Sequence, residues 1–467
     1  MSQSGAAPQR HFLANMLIFS GTSLPIGALG MSLAIYVQPH FAQDLGLGLV
    51  AIGAAFFSVR MIDIGFDLVL ALGMDRTRTR FGRYRVWLLL GAPIMMLGVY
   101  QLFMAPKGIG SGDLILWLLV YSLGNSIYTI ARYAWSAKLV TRYEHRSTFF
   151  GVLAAVGVIG AVAMLVTAQL TPGASLDNAV HRMGWIVIVA IPIVVGLTAW
   201  LIPETVAVDP PRANSPLSDY LDLIKRPELI RLFVMTFGTT LGPGWMSNLY
   251  IFFFTAARGF TNQQASFLLI PYVVAGALGA PLVGLLAAKF SKHRTLVTAT
   301  ICYSLGLCTV LAVPKGDIWL SLPVMLWCGF WGNGFDLMTG SMMADVGDQV
   351  RLEQGKERMG LLYSIISLAG KVAAAGAVII AYPILAAIGF IPKLGAHNSA
   401  SAIEGLQLCF LIGPIFFVAL GGACCIGWKL DSKRHATIRA ELEARDALLA
   451  GGRVADDTLA IGDPVPT

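Results

Sequence analysis

Long apolar stretches recur along the whole sequence and restrict the chain to few kinds of fold. A helix crosses the hydrocarbon core of a bilayer when roughly 20 consecutive residues are predominantly apolar. Only 13% of the residues are charged, against about 25% in a soluble domain. This disfavours a soluble enzyme, a nucleic-acid-binding protein and a disordered chain, and it predicts an all-α membrane protein with twelve transmembrane helices. The predicted spans lie at about 13–38, 47–74, 86–105, 113–138, 148–170, 183–202, 230–256, 264–288, 295–313, 319–344, 360–390 and 404–428.

A polar interval with five prolines separates the sixth predicted span from the seventh. It runs from Pro203 to Glu228, and its composition is typical of a linker. Spans 2 and 8 also end alike, each with an abrupt change from apolar to basic residues, at Asp75 and Lys289. The sequence therefore predicts two six-helix bundles, at 1–202 and 230–430, joined by a cytoplasmic linker at 203–229 and followed by a cytoplasmic tail at 431–467.

The lysines and arginines outside the spans are concentrated in alternate loops. The basic segments are 75–85, 138–146, 289–294, 351–358 and 429–434. Basic residues in short loops mark the cytoplasmic side of a membrane protein, so both termini are predicted to be cytoplasmic. The net charge of +7 is then explained by membrane orientation, and no nucleic-acid partner is expected. The expected location is the plasma membrane, the inner membrane of a bacterium.

Cysteine and histidine positions argue against a metal centre or an enzyme active site. All six cysteines lie inside apolar stretches, without the spacing of metal ligands. The seven histidines lie at predicted span ends or in polar segments. We therefore expect reduced cysteines, no metal, no cofactor beyond a coupling ion, and no enzymatic activity.

Six ionisable residues lie inside the predicted spans, where a charge costs several kcal/mol and marks a candidate functional site. They are Arg60, Asp63, Asp67, Arg132, Asp336 and Lys371. At roughly 1.5 Å of rise per residue, the three aspartates and Lys371 lie about 12–18 Å from the nearest basic span end, close to the middle of a core about 30 Å thick. The three positive and three negative charges cancel.

Arg60, Asp63 and Asp67 have i, i+3, i+7 spacing and so share one helix face. Buried structural ion pairs would explain the cancelling charges. However, two carboxylates four residues apart repel each other, which favours binding of a proton or a shared cation. We therefore predict that Asp63 and Asp67 bind the coupling ion, H⁺ or Na⁺, and that Lys371 is their charge-balancing partner.

Polar and aromatic residues of spans 4 and 10 are the candidates for contacts with substrate. Arg132 shares a helix face with Tyr128 and Trp135, which suits a hydroxylated or anionic substrate, although Arg132 could instead be an anchor at the membrane interface. In span 10, glycines that permit close helix contact flank Asn333. The predicted substrate-binding residues are Tyr128, Arg132, Tyr133, Trp135, Asn333 and Asp336.

At these residues the sequence resembles the glycoside–pentoside–hexuronide:cation symporters, the branch of the major facilitator superfamily that contains melibiose permease. The similar segments are Arg60-Met-Ile-Asp63-Ile-Gly-Phe-Asp67 with the following run 75–87, Tyr133-Ala-Trp135, Met343-Ala-Asp345-Val-Gly-Asp348, and 355–364 with Lys371. The resemblance covers essentially the whole chain. It implies the major facilitator fold, a cation site at Asp63 and Asp67, and Lys371 beside that site. The charged residues predicted to act in gating or in the cytoplasmic motifs are Arg60, Asp75, Arg76, Arg80, Arg85, Asp345, Asp348 and Arg358.

The sequence also departs from that family at its sugar-binding positions. Melibiose-permease-like members bind galactosides with two aspartates and an arginine, and the corresponding positions are Gly27, Thr129 and Ala154. The family's Pro-Tyr before the Tyr-Ala-Trp segment is Ala131-Arg132. These differences argue against a galactoside and weaken the case for Na⁺ over H⁺.

The leading interpretation is a monomeric, cation-coupled secondary transporter that imports a glycoside, an oligosaccharide or a sugar acid by alternating access. A transporter of lysolipids or other amphiphiles is the alternative within the same fold, because the superfamily branch includes such carriers. A membrane sensor is the alternative outside transport. The expected partners are a small sugar-like solute and membrane lipid.

Overall fold

The structure is a computed structural model that describes residues 15–77, 79, 81–139, 143–171, 175–202, 204, 225–354 and 359–445. Within these residues the regular structure is helical throughout. The first six helices are α1 (Asn15–Gln43), α2 (Leu49–Arg76), α3 (Tyr84–Phe103), α4 (Ser111–Leu139), α5 (Tyr143–Gln169) and α6 (Leu176–Leu201). A π-helical turn at Leu33–Val37 interrupts α1 near its end.

The second half repeats this arrangement, except that two consecutive helices replace one. Its helices are α7 (Pro227–Phe252), α8 (Asn262–Phe290), α9 (Lys292–Ala312), α10 (Ile318–Gly332), α11 (Gly334–Gln354), α12 (Met359–Ala387) and α13 (Ala400–Ala423). A π-helical turn at Phe253–Ala257 follows α7, much as the turn in α1 lies near that helix's end. A shorter helical segment, residues 432–445, follows the last long helix; we call it the tail helix.

Helices occupy all twelve predicted spans in the described part of the chain. Ten of them are long and apolar enough to cross a bilayer. The other two predicted spans correspond to α7 and to the pair α10 and α11, which follow each other end to end. Asn333 lies between α10 and α11. Its side-chain amide occupies the space that a Cβ atom on Gly276 of α8 would need. The tenth span is thus two helices rather than one.

With α10 and α11 counted as one span, successive long helices run in opposite directions, so both described chain ends lie on one side of the bundle. We call this the terminal side and the opposite one the far side. Contacts between the two halves run mainly along α2 with α12 and along α5 with α8. Gly53 of α2 permits close packing, because a Cβ atom there would lie 3.3 Å from the carbonyl oxygen of Val378 on α12. On the far side, the Tyr36 hydroxyl donates to Ser266 Oγ at 2.8 Å, and Gln263 donates to the Thr171 carbonyl at 2.7 Å.

Candidate functional site

A cavity of about 370 Å³ lies between the two halves, within the range of about 300–1,000 Å³ that is usual for small-molecule sites. Helices α1, α2, α4, α7 and α12 contribute its wall. Most of the lining is apolar, and its polar side chains are Gln38, Arg60, Tyr121, Ser122, Asn125, Ser247 and Asn248. The Gln38 side-chain oxygen is buried without a hydrogen-bond partner, so an acceptor is available at the wall.

Among the described charged side chains between the halves, Asp63 has the most polar partners. Its side chain is 3% exposed, and Oδ1 accepts hydrogen bonds from Ser122 Oγ at 2.6 Å and Ser126 Oγ at 2.7 Å. Oδ2 lies 3.5 Å from Arg60 Nη1 and 3.6 Å from Lys371 Nζ. Two hydroxyl donors and two cations therefore stabilise this buried carboxylate. The sequence analysis did not predict Ser122 and Ser126 as site residues. Their i, i+4 spacing places both hydroxyls on one face of an apolar helix, which was the available signal.

Asp67 lies one helical turn from Asp63 and is only half satisfied. Its Oδ2 atom forms an ion pair with Lys371 Nζ. Its Oδ1 atom is buried and has no hydrogen-bond partner among the residues that the structure describes. A buried acceptor without a hydrogen-bond partner lowers stability by about 1–3 kcal/mol, and by more when the acceptor is charged. The site therefore contains one carboxylate oxygen that a proton or a metal cation would satisfy.

The charges of the site balance without an added ion. Arg60 and Lys371 oppose Asp63 and Asp67, and the four side chains cancel formally. Lys371 belongs to α12 in the second half, whereas the other three belong to α2, so the ion pair joins the two halves of the protein. The structure thus brings together four of the six charges that the sequence placed at membrane depth.

Arg132 is separate from this group. It is 4% exposed, its Nη1 donates to Ser23 Oγ at 2.6 Å, and its guanidinium lies 4.5 Å from the ring centre of Tyr133. Its Nε is buried without a partner, and no carboxylate that the structure describes forms an ion pair with it. Arg132 follows cavity-lining Asn125 by seven residues, so both lie on the same face of α4, about 10 Å apart.

The aromatic candidates near Arg132 have different surroundings. Tyr128 is fully buried, and its hydroxyl donates to the Thr22 carbonyl at 3.0 Å. Trp135 is buried against Phe19, with its indole N–H unpartnered. Tyr133 is 52% exposed. None of the three lines the cavity between the halves.

Asn333 and Asp336 lie away from the other candidates. Asn333 packs toward α8 at the junction of α10 and α11. Asp336 is in the first turn of α11, where a carboxylate interacts favourably with the helix dipole. Both side chains are partly exposed, and neither lines the cavity. The structure therefore does not bring them to the site of Asp63 and Lys371.

On the terminal side, Glu204 caps the start of α3. Its carboxylate accepts hydrogen bonds from the backbone N–H groups of Arg83, Tyr84 and Arg85 at 2.7–2.9 Å. In return, Arg85 Nη2 donates to the Ile202 carbonyl at the end of α6, at 2.6 Å. The ends of α3 and α6 are thus joined reciprocally, since a carboxylate suits a helix N-terminus and a cation suits a C-terminus.

A second charged cluster lies at the end of α11. Asp345 Oδ1 is 2.6 Å from Lys292 Nζ and 3.3 Å from His435 Nε2. The same His435 nitrogen is 3.0 Å from Asp348 Oδ2. The tail helix therefore lies on the motif that contains Asp345 and Asp348. Arg80 and Arg358 lie outside the described residues, as do the side chains of Asp75 and Arg76.

Comparison with known proteins identifies the family. The profile of the family described as MFS/sugar transport protein matches residues 18–432. The chain belongs to this family. It is 23% identical to the uncharacterized symporter YnaJ of Bacillus subtilis (strain 168) over 436 residues, which cover 89% of this chain and 91% of that protein. It is 23% identical to the isoprimeverose transporter of Lactiplantibacillus pentosus, over 88% and 87% of the two chains. It is 22% identical to the glucuronide carrier protein homolog of Escherichia coli (strain K12), over 88% and 91%.

Solved structures of two other transporters have a similar fold. The nucleoside transporter NupG matches with a TM-score of 0.65 and 15% identity over 90% of this chain and 100% of its own. A bacterial homolog of the human lysosomal transporter Spinster, inward-facing and unoccupied, matches with a TM-score of 0.65 and 13% identity over 94% and 99%. Together with the family match, these structures confirm the predicted major facilitator fold. The family also confirms that this integral membrane protein is a transporter rather than an enzyme.

Within this family, the departure at Gly27 has a structural cause. A Cβ atom at Gly27 would lie 1.9 Å from the carbonyl oxygen of Gly157, and one at Gly160 would lie 2.1 Å from that of Leu24. Helices α1 and α5 therefore pack backbone to backbone, and no side chain fits at Gly27. The helix-1 carboxylate of melibiose-permease-like members has no room in this arrangement.

Proposed function

We propose that this protein is a symporter in which Asp63 and Asp67 bind a coupling cation, H⁺ or Na⁺, and the central cavity binds an anionic sugar. The observation that carries the cation part is the unpartnered, buried Oδ1 of Asp67 beside an otherwise balanced set of charges. Uptake then runs by alternating access of the two halves around the cavity. The basic loops on the terminal side support a cytoplasmic location for that side. We further propose that the protein acts as a monomer in a plasma membrane.

The coupling cation and Lys371 compete for the same carboxylate. Without the cation, Arg60 and Lys371 cancel Asp63 and Asp67. A bound cation adds one positive charge, which weakens the attraction between Lys371 and Asp67 in a low-dielectric environment. Because this pair joins α2 to α12, cation binding loosens one contact between the halves. The ion is thereby coupled to the movement that exposes the cavity to each side of the membrane.

The relatives and the cavity lining favour a sugar, and one buried arginine favours a sugar that carries a carboxylate. The relatives named above include an isoprimeverose transporter and a glucuronide carrier homolog, and the cavity presents amide and hydroxyl groups that pair with sugar hydroxyls. On α4, Arg132 is buried, no described carboxylate pairs with it, and the Thr129 hydroxyl one turn away is also buried without a partner among the described residues. Neither residue lines the cavity itself; Arg132 lies beyond cavity-lining Asn125 on the same helix face. A buried charge is unfavourable unless it is paired, and a substrate carboxylate is the partner that this arginine lacks.

The deciding experiment compares two substrates that differ only at one group. Proteoliposomes would be offered 4-nitrophenyl β-glucuronide or 4-nitrophenyl β-glucoside, under an inward proton gradient and separately under an inward Na⁺ gradient. We expect accumulation of the glucuronide under one gradient only, with little competition by lysophosphatidylcholine. Preferred uptake of the glucoside would contradict the anionic substrate. Strong competition by the lysolipid would favour the amphiphile alternative, and absence of any ion-linked flux would contradict symport and favour a sensor.

The role of Arg132 has its own test. Arg132→Gln keeps the side chain polar but removes the charge, so we expect glucuronide uptake to fall at least tenfold while glucoside uptake does not fall. Arg294→Gln, at an exposed arginine of α9, is the matched control and should change neither rate. Equal loss of both substrates in Arg132→Gln would show that the arginine is structural.

A further inference from the structure

A second cluster of ionisable groups lies on the far side, where the end of α1 meets the start of α6. It consists of His40, Asp44, Asp177 and His181. The His40 side chain is fully buried, whereas Asp44, Asp177 and His181 are 29–37% exposed. The cluster is therefore open to solvent on one side and closed by protein on the other. The transport mechanism described above uses none of these four residues.

The two ring nitrogens of His40 have different surroundings. Nδ1 lies 2.8 Å from Asp44 Oδ2, so this pair forms a hydrogen bond with the imidazole as donor. Nε2 is buried, has no hydrogen-bond partner, and lies 3.8 Å from Asp177 Oδ1. A histidine that donates one N–H to a carboxylate presents the lone pair of its other nitrogen, which is the usual arrangement of a metal-binding histidine and its supporting carboxylate.

The distances between the candidate ligand atoms suit a small tetrahedral cation. Zn²⁺ binds histidine nitrogen and carboxylate oxygen at about 2.0–2.2 Å, so two ligands at a tetrahedral angle are about 3.4 Å apart. His40 Nε2 and Asp177 Oδ1 are 3.8 Å apart, and His181 Nδ1 is 3.5 Å from the same oxygen. The ligand atoms that His40, Asp44 and Asp177 offer lie within 4.8 Å of one another.

We propose that this cluster is a Zn²⁺ site, with His40 Nε2 and Asp177 as ligands, Asp44 as the carboxylate that orients His40, and His181 as the third ligand. His181 Nδ1 now contacts the Asp177 carbonyl at 2.7 Å, and rotation of this partly exposed side chain brings a ring nitrogen to the metal. Two carboxylates and two neutral imidazoles balance the charge of the ion. Imidazole with carboxylate is a ligand set that Zn²⁺ accepts.

A metal at this position would brace the wall of the central cavity. His40 follows Gln38, which lines the cavity, and both lie directly after the π-helical turn of α1. Without a bound ion, the described polar contacts that hold this end of α1 to α6 are those of His40 with Asp177. A Zn²⁺ ion joining His40 and Asp177 would hold the end of α1 to α6 while the halves move.

The test measures metal binding directly and does not depend on transport. Full-length protein, purified in detergent and stripped with a chelator, would be titrated with ZnCl₂ by calorimetry and with CoCl₂ by visible absorption. We expect one Zn²⁺ per chain and intense Co²⁺ d–d bands of a four-coordinate site. Asp177→Asn should abolish stoichiometric binding, and Asp44→Asn should weaken it about 10–100-fold, as the loss of a supporting carboxylate does.

Control variants separate a metal site from a general loss of structure. His397→Ala, at an exposed histidine of the same side, should bind Zn²⁺ like the unmodified chain. His181→Ala should keep weaker binding, because His40 and Asp177 remain. Wild-type protein that binds no Zn²⁺ at one equivalent would overturn the proposal, and so would binding that Asp177→Asn leaves unchanged. A metal-free Tm for each variant equal to that of the unmodified chain shows that the fold is intact.

Discussion

The ammonium group of Lys371 on α12 forms an ion pair with Asp67 on α2, and it lies 3.6 Å from Oδ2 of Asp63 on the same helix. The three residues therefore act as one unit across the boundary between the halves. Asp63 also contacts two serine hydroxyls and Arg60, whereas Lys371 is the single partner of Asp67 among the described residues. This difference predicts different consequences for the two aspartates.

Asp67→Asn should abolish ion-driven accumulation while leaving the protein folded. The side chain is 28% exposed, and its replacement leaves Lys371 with Asp63 as partner. We expect accumulation in proteoliposomes to reach only the external concentration, with Tm in detergent changed by no more than a few degrees. Accumulation at the wild-type level would contradict a cation role for Asp67.

Asp63→Asn should stop accumulation and also destabilise the protein. Arg60 and Lys371 would keep their charges beside a neutral side chain, and two serine hydroxyls would lose a charged acceptor. Removal of one partner from a fully buried ion pair costs about 3–5 kcal/mol, and the loss here should be smaller because Arg60 is 40% exposed and Lys371 keeps Asp67. Tm and the yield of monodisperse protein should fall below those of Asp67→Asn. Equal stability of the two variants would mean that the additional contacts of Asp63 contribute little.

A double-mutant cycle tests whether Lys371 and Asp67 interact directly. Lys371→Gln leaves two carboxylates four residues apart without their shared ammonium, so it should destabilise more than Asp67→Asn. The double variant Asp67→Asn/Lys371→Gln should recover part of that loss, with a coupling free energy of about 1 kcal/mol or more, as measured for residues in one salt-bridge network. Additive losses in denaturant or thermal unfolding would show that the pair is not coupled.

Glu204→Ala should destabilise the terminal side of the first half. Three backbone N–H groups at the start of α3 would lose their acceptor, and loss of a helix cap costs about 0.5–2 kcal/mol. Glu204→Gln should cost less, because its amide oxygen still accepts. Gly82→Ala should resemble Glu204→Ala, since φ is +108° at this residue and a Cβ there would lie 2.2 Å from Glu204 Oε2. Thermal unfolding in detergent measures all three, and an unchanged Tm for Glu204→Ala would contradict the capping role.

Disruption of the tail helix should expose it to protease. Ile438 and Leu442 are 1% and 4% exposed, while His435 bonds to Asp348. Replacement of both apolar residues by serine removes the buried face of the helix. We expect trypsin to cleave after Arg439 much faster than in the unmodified chain, as followed by mass spectrometry. Ala440→Ser, at an exposed position, is the control and should be cleaved at the original rate.

Local patterns predicted most of the helices. The spans follow from hydropathy and length, which are properties of neighbouring residues, and so does the placement of Asp63, Asp67 and Lys371 at one depth. The break at Asn333 was not predicted, because an apolar run does not show where a neighbouring helix approaches. The close packing at Gly27 could not be predicted from local patterns either, because its contact is with Gly157, which is far along the chain.

The candidate site was predictable only in part, for the same reason. The sequence showed which charges are buried at membrane depth, and it predicted Lys371 as the charge-balancing partner of Asp63 and Asp67. It did not show that Asp336 lies away from this group. The sequence predicted no metal, and the cluster for which we propose Zn²⁺ was not apparent in it, because His40 and Asp177 belong to helices that are adjacent only after folding. Ser122 and Ser126 were identified only once α4 was seen to pack against α2.

The sequence by itself determined that this chain lies in a membrane as a bundle of helices, because the low charge and the long apolar runs permit no other solution. It also determined that a few charges must be compensated inside the bundle, because an unpaired charge in lipid is too costly. Only the tertiary structure decided the detailed pairing. Charge neutrality can be met by several arrangements, and the packing of α2 against α12 brings the predicted partner Lys371 to Asp67. One oxygen of Asp67 then has no hydrogen-bond partner among the described residues, and no described carboxylate pairs with Arg132.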